Sequence, residues 1–267
     1  MRTDPFLSVI TVVKNDGPGL ERTLRSVFSQ QISSGFSCES IVIDGGSSDN
    51  TLTVIAEYQK KIHYRISEPD NGIYDGMNKG LPHARGSWII FLNAGDVFFS
   101  ENTVSLFHEQ SKKTSAGIIY GDVVNEYHDN YRKVKKAKSH TQLWKGMVFC
   151  HQAAFIKKTL FNPVHGAGLY KTEYKIAADY AFFSALYHTT EFLYWNAPPV
   201  AVIAAYGLSD KARFRTIREF CKIGRVYFKD KPVLSHFCFS FALQTVIAGM
   251  KLLLPRRLIL CLKTKFK

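Results

Sequence analysis

Short apolar runs that break abruptly into small polar turns, with helical spacing between them, constrain this chain more than any other feature. Leu7–Val13 is β-branched and nearly continuous, and residues 39–44 repeat the pattern before ending in Gly45-Gly46-Ser47-Ser48. Residues 63–66 make a third, shorter run, and residues 87–92 a fourth that stops at Asn93-Ala94-Gly95-Asp96. Uninterrupted runs of this kind read as strands buried on both faces, the habit of parallel sheets. Between them, Leu20, Leu24, Val27 and Phe28 recur at helical spacing, as do Leu52, Ile55, Ala56 and Tyr58 behind a cap at Asp49 or Asn50. After the turn at Pro69-Asp70-Asn71-Gly72, residues 74–84 read as a helix presenting Asp75, Asn78 and Lys79. Strands alternating with helices imply an α/β fold whose parallel sheet is built by right-handed crossovers.

In such sheets ligands bind beyond the carboxyl ends of the strands. Asp96 stands there beside Ala94 and Gly95, small enough for phosphate and backbone to approach closely. A carboxylate so placed can hold a divalent cation that a diphosphate also grips, or it can simply cap a loop. Asp44 stands at the equivalent point of the second strand. It is a turn-former before glycine, or an acceptor for a ring N–H of a nucleotide base.

The second half reads less regularly. A helix over 103–112 and a strand over 117–120 lead to a β-type segment, 123–134, that turns at His128-Asp129-Asn130. The basic patch at 133–138 reads as a solvated strand edge, with a phosphate or acceptor contact as the alternative. His151 and Gln152 are embedded in the apolar stretch 149–155, so they form either a satisfied core network or a site wall. A helix is expected over 174–186. Its acid, Asp179, is a helix-dipole cap or a general base whose proton affinity a dry pocket would raise. Residues 191–205 form a closing strand or strand pair interrupted by Pro198-Pro199, and a flexible loop at 206–209 ends the domain.

At 267 residues, 46% hydrophobic and 21% charged, the chain is globular. Its charge is uneven. Residues 1–210 hold 21 Lys+Arg against 20 Asp+Glu, whereas residues 211–267 hold 14 Lys+Arg against Glu219 and Asp230. A neutral domain argues against a nucleic-acid partner for the core. Five cysteines without metal-ligand spacing, and a short polar start before Pro5, suggest reduced thiols on the cytosolic side.

Six ordered segments together resemble bacterial family 2 glycosyltransferases. They are Ser8-Val9-Ile10-Thr11-Val12-Val13-Lys14-Asn15, the Val42-Ile43-Asp44-Gly45-Gly46-Ser47-Ser48-Asp49-Asn50-Thr51 run, and Glu68-Pro69-Asp70-Asn71-Gly72-Ile73-Tyr74-Asp75-Gly76-Met77-Asn78-Lys79-Gly80. Phe91-Leu92-Asn93-Ala94-Gly95-Asp96, Cys150-His151-Gln152-Ala153 and Ala177-Ala178-Asp179-Tyr180 complete the set. The nearest likeness is to colanic-acid-type exopolysaccharide enzymes. The resemblance implies a GT-A fold, Rossmann-like with a mostly parallel central sheet, over residues 1–210, followed by a C-terminal helical extension over 211–267.

It further implies that Thr11, Val13, Asn15 and Asp44 hold base and ribose, with Lys79, Asn93 and Ala94 completing the nucleotide site. Residues 93–96 would be the family's Asp-x-Asp motif. Asn93 and Gly95 occupy positions that are often acidic, leaving Asp96 as the metal ligand for Mn²⁺ or Mg²⁺. Asp179 falls at the position of the catalytic base, and His151 and Gln152 are placed on the acceptor side. The implied reaction is inverting transfer from a nucleoside-diphosphate sugar, a UDP-sugar, to a glycan or lipid-linked acceptor in cell-surface polysaccharide biosynthesis. The alternative is a sugar-nucleotide-binding subunit that has lost its chemistry.

The extension reads as a basic amphipathic helix over 211–229, broken by Pro232, and then an apolar segment over 233–254. Basic clusters on both flanks favour a hairpin lying on an anionic membrane surface over a span. Packing or homodimer formation is the other use left open. The expected location is peripheral, on the inner face of the plasma membrane.

Overall fold

The computed structural model describes residues 4–32, 35–127, 131–205, 207 and 212–253, with 247–253 described by backbone alone. The expected turn at 128–130, the loop at 206–209 apart from Gly207, and Cys261 lie outside the described residues.

The continuous apolar runs become the parallel part of a seven-stranded sheet. Strand β1 (Leu7–Val13), buried at every position, lies between β2 (Cys38–Asp44) and β4 (Trp88–Phe91), with β3 (Tyr64–Ser67) at the edge. These four pair in parallel, with Val13 opposite Asp44 and Ile10 opposite Phe91. The turns after β1, β2 and β4 therefore open on one rim. Past β4 the sheet continues through β9 (Ala154–Lys157), β6 (Ile118–Tyr120) and β10 (Phe192–Tyr194), and β9 runs antiparallel to both its neighbours. A smaller sheet takes β5 (Val97–Phe98), β11 (Ala201–Ala204), β7 (Val123–Glu126) and β8 (Arg132–Lys135), in that order. The closing segment 191–205 is thus a strand pair, and Pro198-Pro199, lacking N–H donors, separates its two strands into different sheets.

Helices cover both faces of the large sheet. Helix α1 (Gly17–Phe28) is capped by Asp16, which accepts from the Gly19 N–H at 3.0 Å, and buries Leu20, Thr23, Leu24 and Val27. With α2 (Thr51–Glu57) it packs on Val13 and Val42. On the other face, α3 (Ile73–Gly80) and α5 (Ala178–Leu186) share a core with Ile10, Ile43 and Phe91. Helix α4 (Thr103–Ser111) covers Trp88 and Ile90 through Phe107.

Two boundaries differ from the sequence reading. The helix expected over 74–84 ends at Gly80 and tightens into a 3-10 turn, Leu81–His83, because Pro82 offers no N–H. The helix expected from 174 begins only at Ala178; ahead of it the N–H groups of Lys175, Ile176 and Ala177 bind the Glu219 carboxylate. The basic patch is an edge: every residue of β8 is exposed.

The C-terminal extension packs closely on the rest. Helices α6 (Arg213–Tyr227) and α7 (Val233–Leu253), with Phe228 just past the end of α6, send Ile223, Phe228, Val233 and Phe237 into the same core as Tyr180 and Phe183. At Gly224 an added Cβ would meet Val233 at 2.8 Å, so the helices cross at close range. Among the described residues, no helix is long and apolar enough to cross a membrane. Cys38, Cys150, Cys221 and Cys238 are free thiols.

Candidate active site

The turn after β4 is fixed from below by α1. Ala94 N–H donates to Val12 O at 3.1 Å, and Gly95 N–H reaches Gly19 O and Thr23 Oγ1, both at 3.0 Å. The Thr23 hydroxyl in turn donates to Asp96 O at 2.7 Å. Gly95 has φ +91°, a conformation in which a side chain would be strained. This closed network aims the Asp96 side chain inward, where it is only 7% exposed. Burial pushes its carboxyl up to about 7, while the Ala204 N–H, the Gln152 amide and the charge of Arg22 hold it down.

Asp179 lies in the first turn of α5 and keeps part of its surface in the cleft. Burial among protein groups raises its carboxyl to about 6. The Tyr74 hydroxyl and the Tyr180 N–H, each donating to Oδ1 at 2.8 Å, oppose that rise, and the negative charge of Glu219 adds to it.

Both acids line one cleft of about 610 Å³, and among the described residues they are the acids of its wall. Asn93, His151 and Gln152 join them there, with Lys135, Lys145 and Arg213 as cations. The buried Asn93 Oδ1 has no hydrogen-bond partner among the described residues. An orphaned amide oxygen and a carboxylate in the same cleft are hard oxygen donors. They suit Mg²⁺ or Mn²⁺, which keep most of their coordination for phosphate and water. Among the described residues no group of three His, Cys, Asp or Glu is placed to hold a metal.

His151 and Gln152 are both core network and wall. The His151 ring packs against Phe91, with centroids 5.1 Å apart, and its Nε2 lies 2.8 Å from Tyr170 Oη. Burial pulls its pKa down to about 3, so it is neutral. Gln152 accepts from the Cys150 thiol at 2.9 Å and turns its amide to Asp96, so it stands at the Asp96 end of the cleft.

The remaining residues expected at a nucleotide lie outside this cleft's lining. Asp44 is fully buried, accepting from Ser47 N–H at 3.0 Å, from the Ser47 hydroxyl, and from Ser67 Oγ at 2.5 Å. Asn15, at φ 52°, receives the Ser48 N–H at 2.8 Å, tying the loop after β1 to the loop after β2. Thr11 Oγ1 is buried and has no hydrogen-bond partner among the described residues. Val13 and Ala94 pack beside Leu20. Lys79 Nζ is engaged by Pro69 O and Glu68, each at 2.8 Å. Sequence reasoning missed Thr23, Tyr74 and Glu219, whose partners lie far off in the chain.

Residues 8–174 match Glycosyl transferase family 2. An uncharacterized glycosyltransferase of Mycobacterium tuberculosis is 34% identical over 185 residues, 68% of this chain and 69% of its own length. A PGL/p-HBAD biosynthesis glycosyltransferase of the same species is 32% identical over 187 residues, 67% and 68% of the two chains. A putative teichuronic acid biosynthesis glycosyltransferase of Bacillus subtilis is 34% identical over 95 residues, 34% of this chain and 36% of its own. Among solved structures, S. aureus TarS 1-349 in complex with UDP superposes with a TM-score of 0.62 at 16% identity. That match covers 82% of this chain and spans 65% of TarS 1-349. The mannosyltransferase PcManGT of Pyrobaculum calidifontis, in complex with GDP-Man and Mn²⁺, gives 0.62 at 18% identity, covering 88% and 67%. These neighbours carry the GT-A fold, and this chain superposes on them over most of its length. With most of its sheet and the turn bearing Asp96 inside the matched segment, this chain belongs to glycosyl transferase family 2 and is a GT-A glycosyltransferase.

Proposed function

We propose that the enzyme moves a sugar from a UDP-sugar to a hydroxyl of a glycan or lipid-linked glycan, in cell-surface polysaccharide biosynthesis, with inversion at the anomeric carbon. The observation that carries this reading is the pair of acids, Asp96 and Asp179, on one cleft. The acceptor oxygen attacks the anomeric carbon in line as the bond from that carbon to the diphosphate oxygen breaks. Asp179 takes the acceptor proton, and the nucleoside diphosphate departs. With its carboxyl at about 6, Asp179 is ionised at neutral pH yet basic enough to help, which suits general-base work.

Asp96 and Asn93 would hold Mn²⁺ or Mg²⁺, and the bound cation supplies neutralisation of the charge gathering on the leaving diphosphate. Thr11, Val13, Asn15, Asp44, Lys79 and Ala94 are the residues we assign to the nucleotide. The ligands of the two structural neighbours, UDP in one and GDP-Man with Mn²⁺ in the other, support the donor class. The names of the mycobacterial and Bacillus relatives support the acceptor class.

Residues 211–267 are assigned to docking on an anionic membrane from the cytoplasmic side. Phe239, Leu243 and Val246 recur along one face of α7 at 70%, 46% and 57% exposure. They stand in a segment of strong positive charge, the pairing that an anionic bilayer recognises. Incubating the enzyme with a panel of nucleotide sugars, Mn²⁺ and a lipid-linked acceptor, then reading the new linkage by NMR, tests the assignment. An inverted anomer is expected, and a retained one overturns the mechanism.

A further inference from the structure

Helix α6 follows the segment that matches the family, yet one of its side chains reaches the loop that carries the proposed base. Glu219 is 13% exposed. Its Oε2 accepts the N–H groups of Ile176 at 3.0 Å and Ala177 at 3.1 Å, and its Oε1 accepts Lys175 N–H at 3.2 Å. Arg215 Nε holds Oε1 from the other side at 3.1 Å, one helical turn away. On the opposite edge of the same peptides, the Tyr74 hydroxyl from α3 shares its one proton between Ile176 O at 2.7 Å and Asp179 Oδ1 at 2.8 Å. The tripeptide ahead of α5 is therefore gripped by its N–H groups from α6 and by a carbonyl from α3. Asp179 comes two residues later.

A surface carboxylate capping three amides would be ordinary capping. Two observations point further. The three amides precede Ala178, so they stabilise the approach to the helix and not its first turn. Ile176, in the middle of the grip, also lines the cleft with Asp179.

We infer that Glu219 is a positioning residue for glycosyl transfer: from α6 it sets where the Asp179 carboxylate stands in the cleft. The inference rests on the reading of Asp179 as the base. A base displaced by about 1 Å can lose on the order of 100-fold in rate, so a remote carboxylate holding its peptide is kinetically visible. Glu219 also acts through its charge. The groups that bear on Asp179 are Tyr74 from α3, the Tyr180 N–H on α5 itself, Tyr170 and Cys150 from the segments before it, and Glu219 from α6. Among these, Glu219 is the carboxylate, and it favours the protonated form of Asp179.

The test uses full-length Glu219→Ala, Glu219→Gln and Asp179→Asn, with kcat, KM, the pH profile of kcat and UDP–Mn²⁺ affinity measured for each. Glu219→Ala is expected to lower kcat by about 10- to 100-fold with UDP affinity unchanged. Glu219→Gln keeps an amide oxygen for Ile176 and Ala177, so it is expected to recover most of kcat while moving the acid limb of the profile to lower pH. Should the alanine variant not fold, the glutamine variant still carries the test through its pH limb. Wild-type kcat and an unmoved limb in the Glu219 variants, beside an inactive Asp179→Asn, would overturn the positioning role alone. An active Asp179→Asn would overturn the base assignment and this role with it.

Discussion

The Tyr74 hydroxyl meets Asp179 Oδ1 at 2.8 Å across 105 residues of chain, joining the start of α3 to the start of α5. A phenol donating to a carboxylate favours its ionised form, so it works against the burial that lifts Asp179 to about 6. Asp179→Asn is expected to lower kcat by about 10²- to 10⁴-fold, the scale of general-base help, with donor affinity preserved. Tyr74→Phe is expected to raise the pKa of the acid limb, because the opposing bond is gone. Steady-state kinetics between pH 5 and 9 read both, and a limb that moves toward acid would contradict the second.

Asp96 carries a prediction about stability. Its folded pKa, about 7, lies above the usual carboxylate value. Its contribution to stability is therefore fully present below the unfolded pKa and is lost as pH rises through about 7. At about 1.4 kcal/mol per pKa unit, keeping this acid ionised above pH 8 costs the cation-free protein on the order of 4 kcal/mol. Asp96→Asn is expected to raise Tm relative to wild type without cation, with a gap that widens from pH 5 to pH 8. Asp96→Ala is expected to abolish cation-dependent UDP binding in calorimetry.

Gln152 adjusts that same acid. Its amide opposes the burial of Asp96, so Gln152→Ala is expected to drive the carboxyl higher. Manganese-dependent UDP affinity then falls most at pH 6.5 and recovers by pH 8.5. A loss of equal size at both values would mean that Gln152 acts on the ligand and not through Asp96.

Thr23 tests the platform. Thr23→Val is nearly isosteric but leaves Asp96 O without its hydroxyl donor, while the Gly95 N–H keeps Gly19 O. Leaving a buried group unpaired costs about 1–3 kcal/mol. Chemical denaturation is expected to show a loss in that range, and calorimetry a weaker cation-dependent UDP affinity.

For the membrane assignment, the full-length protein is expected to sediment with phosphatidylglycerol vesicles and to be partly released by salt. Phe239→Ser combined with Leu243→Ser is expected to stay in the supernatant while keeping its transfer rate on a soluble acceptor. Equal sedimentation of the two proteins would remove bilayer docking from α7.

The sequence made the inner half of the large sheet legible because strands buried on both faces carry their signal locally, as Leu7–Val13 does. Asp96 and Asp179 were legible because each is a lone acid beside apolar chain. The contacts that give those acids their character were not. Thr23 bonds to Asp96 O from 73 residues away, and Glu219 reaches Ala177 from 42. No window of sequence contains both ends of such a bond. The grip on the segment before α5 was hidden for the same reason, since its N–H groups answer to a carboxylate in another helix. His151 was readable as a polar group needing a partner, but Tyr170 as that partner was not.

The Ala204 N–H that reaches Asp96 belongs to β11, a strand synthesised more than a hundred residues after the turn it completes. A ribosome delivers the chain from its amino end, so the strands β1 to β4 can pair while Ala204, Arg213 and Glu219 are still in the exit tunnel or unmade. The nascent enzyme therefore holds a sheet without a working cleft. Only when β11 and α6 have emerged can Ala204 and Arg213 take their places in the wall of the cleft, so the sheet precedes the site it carries.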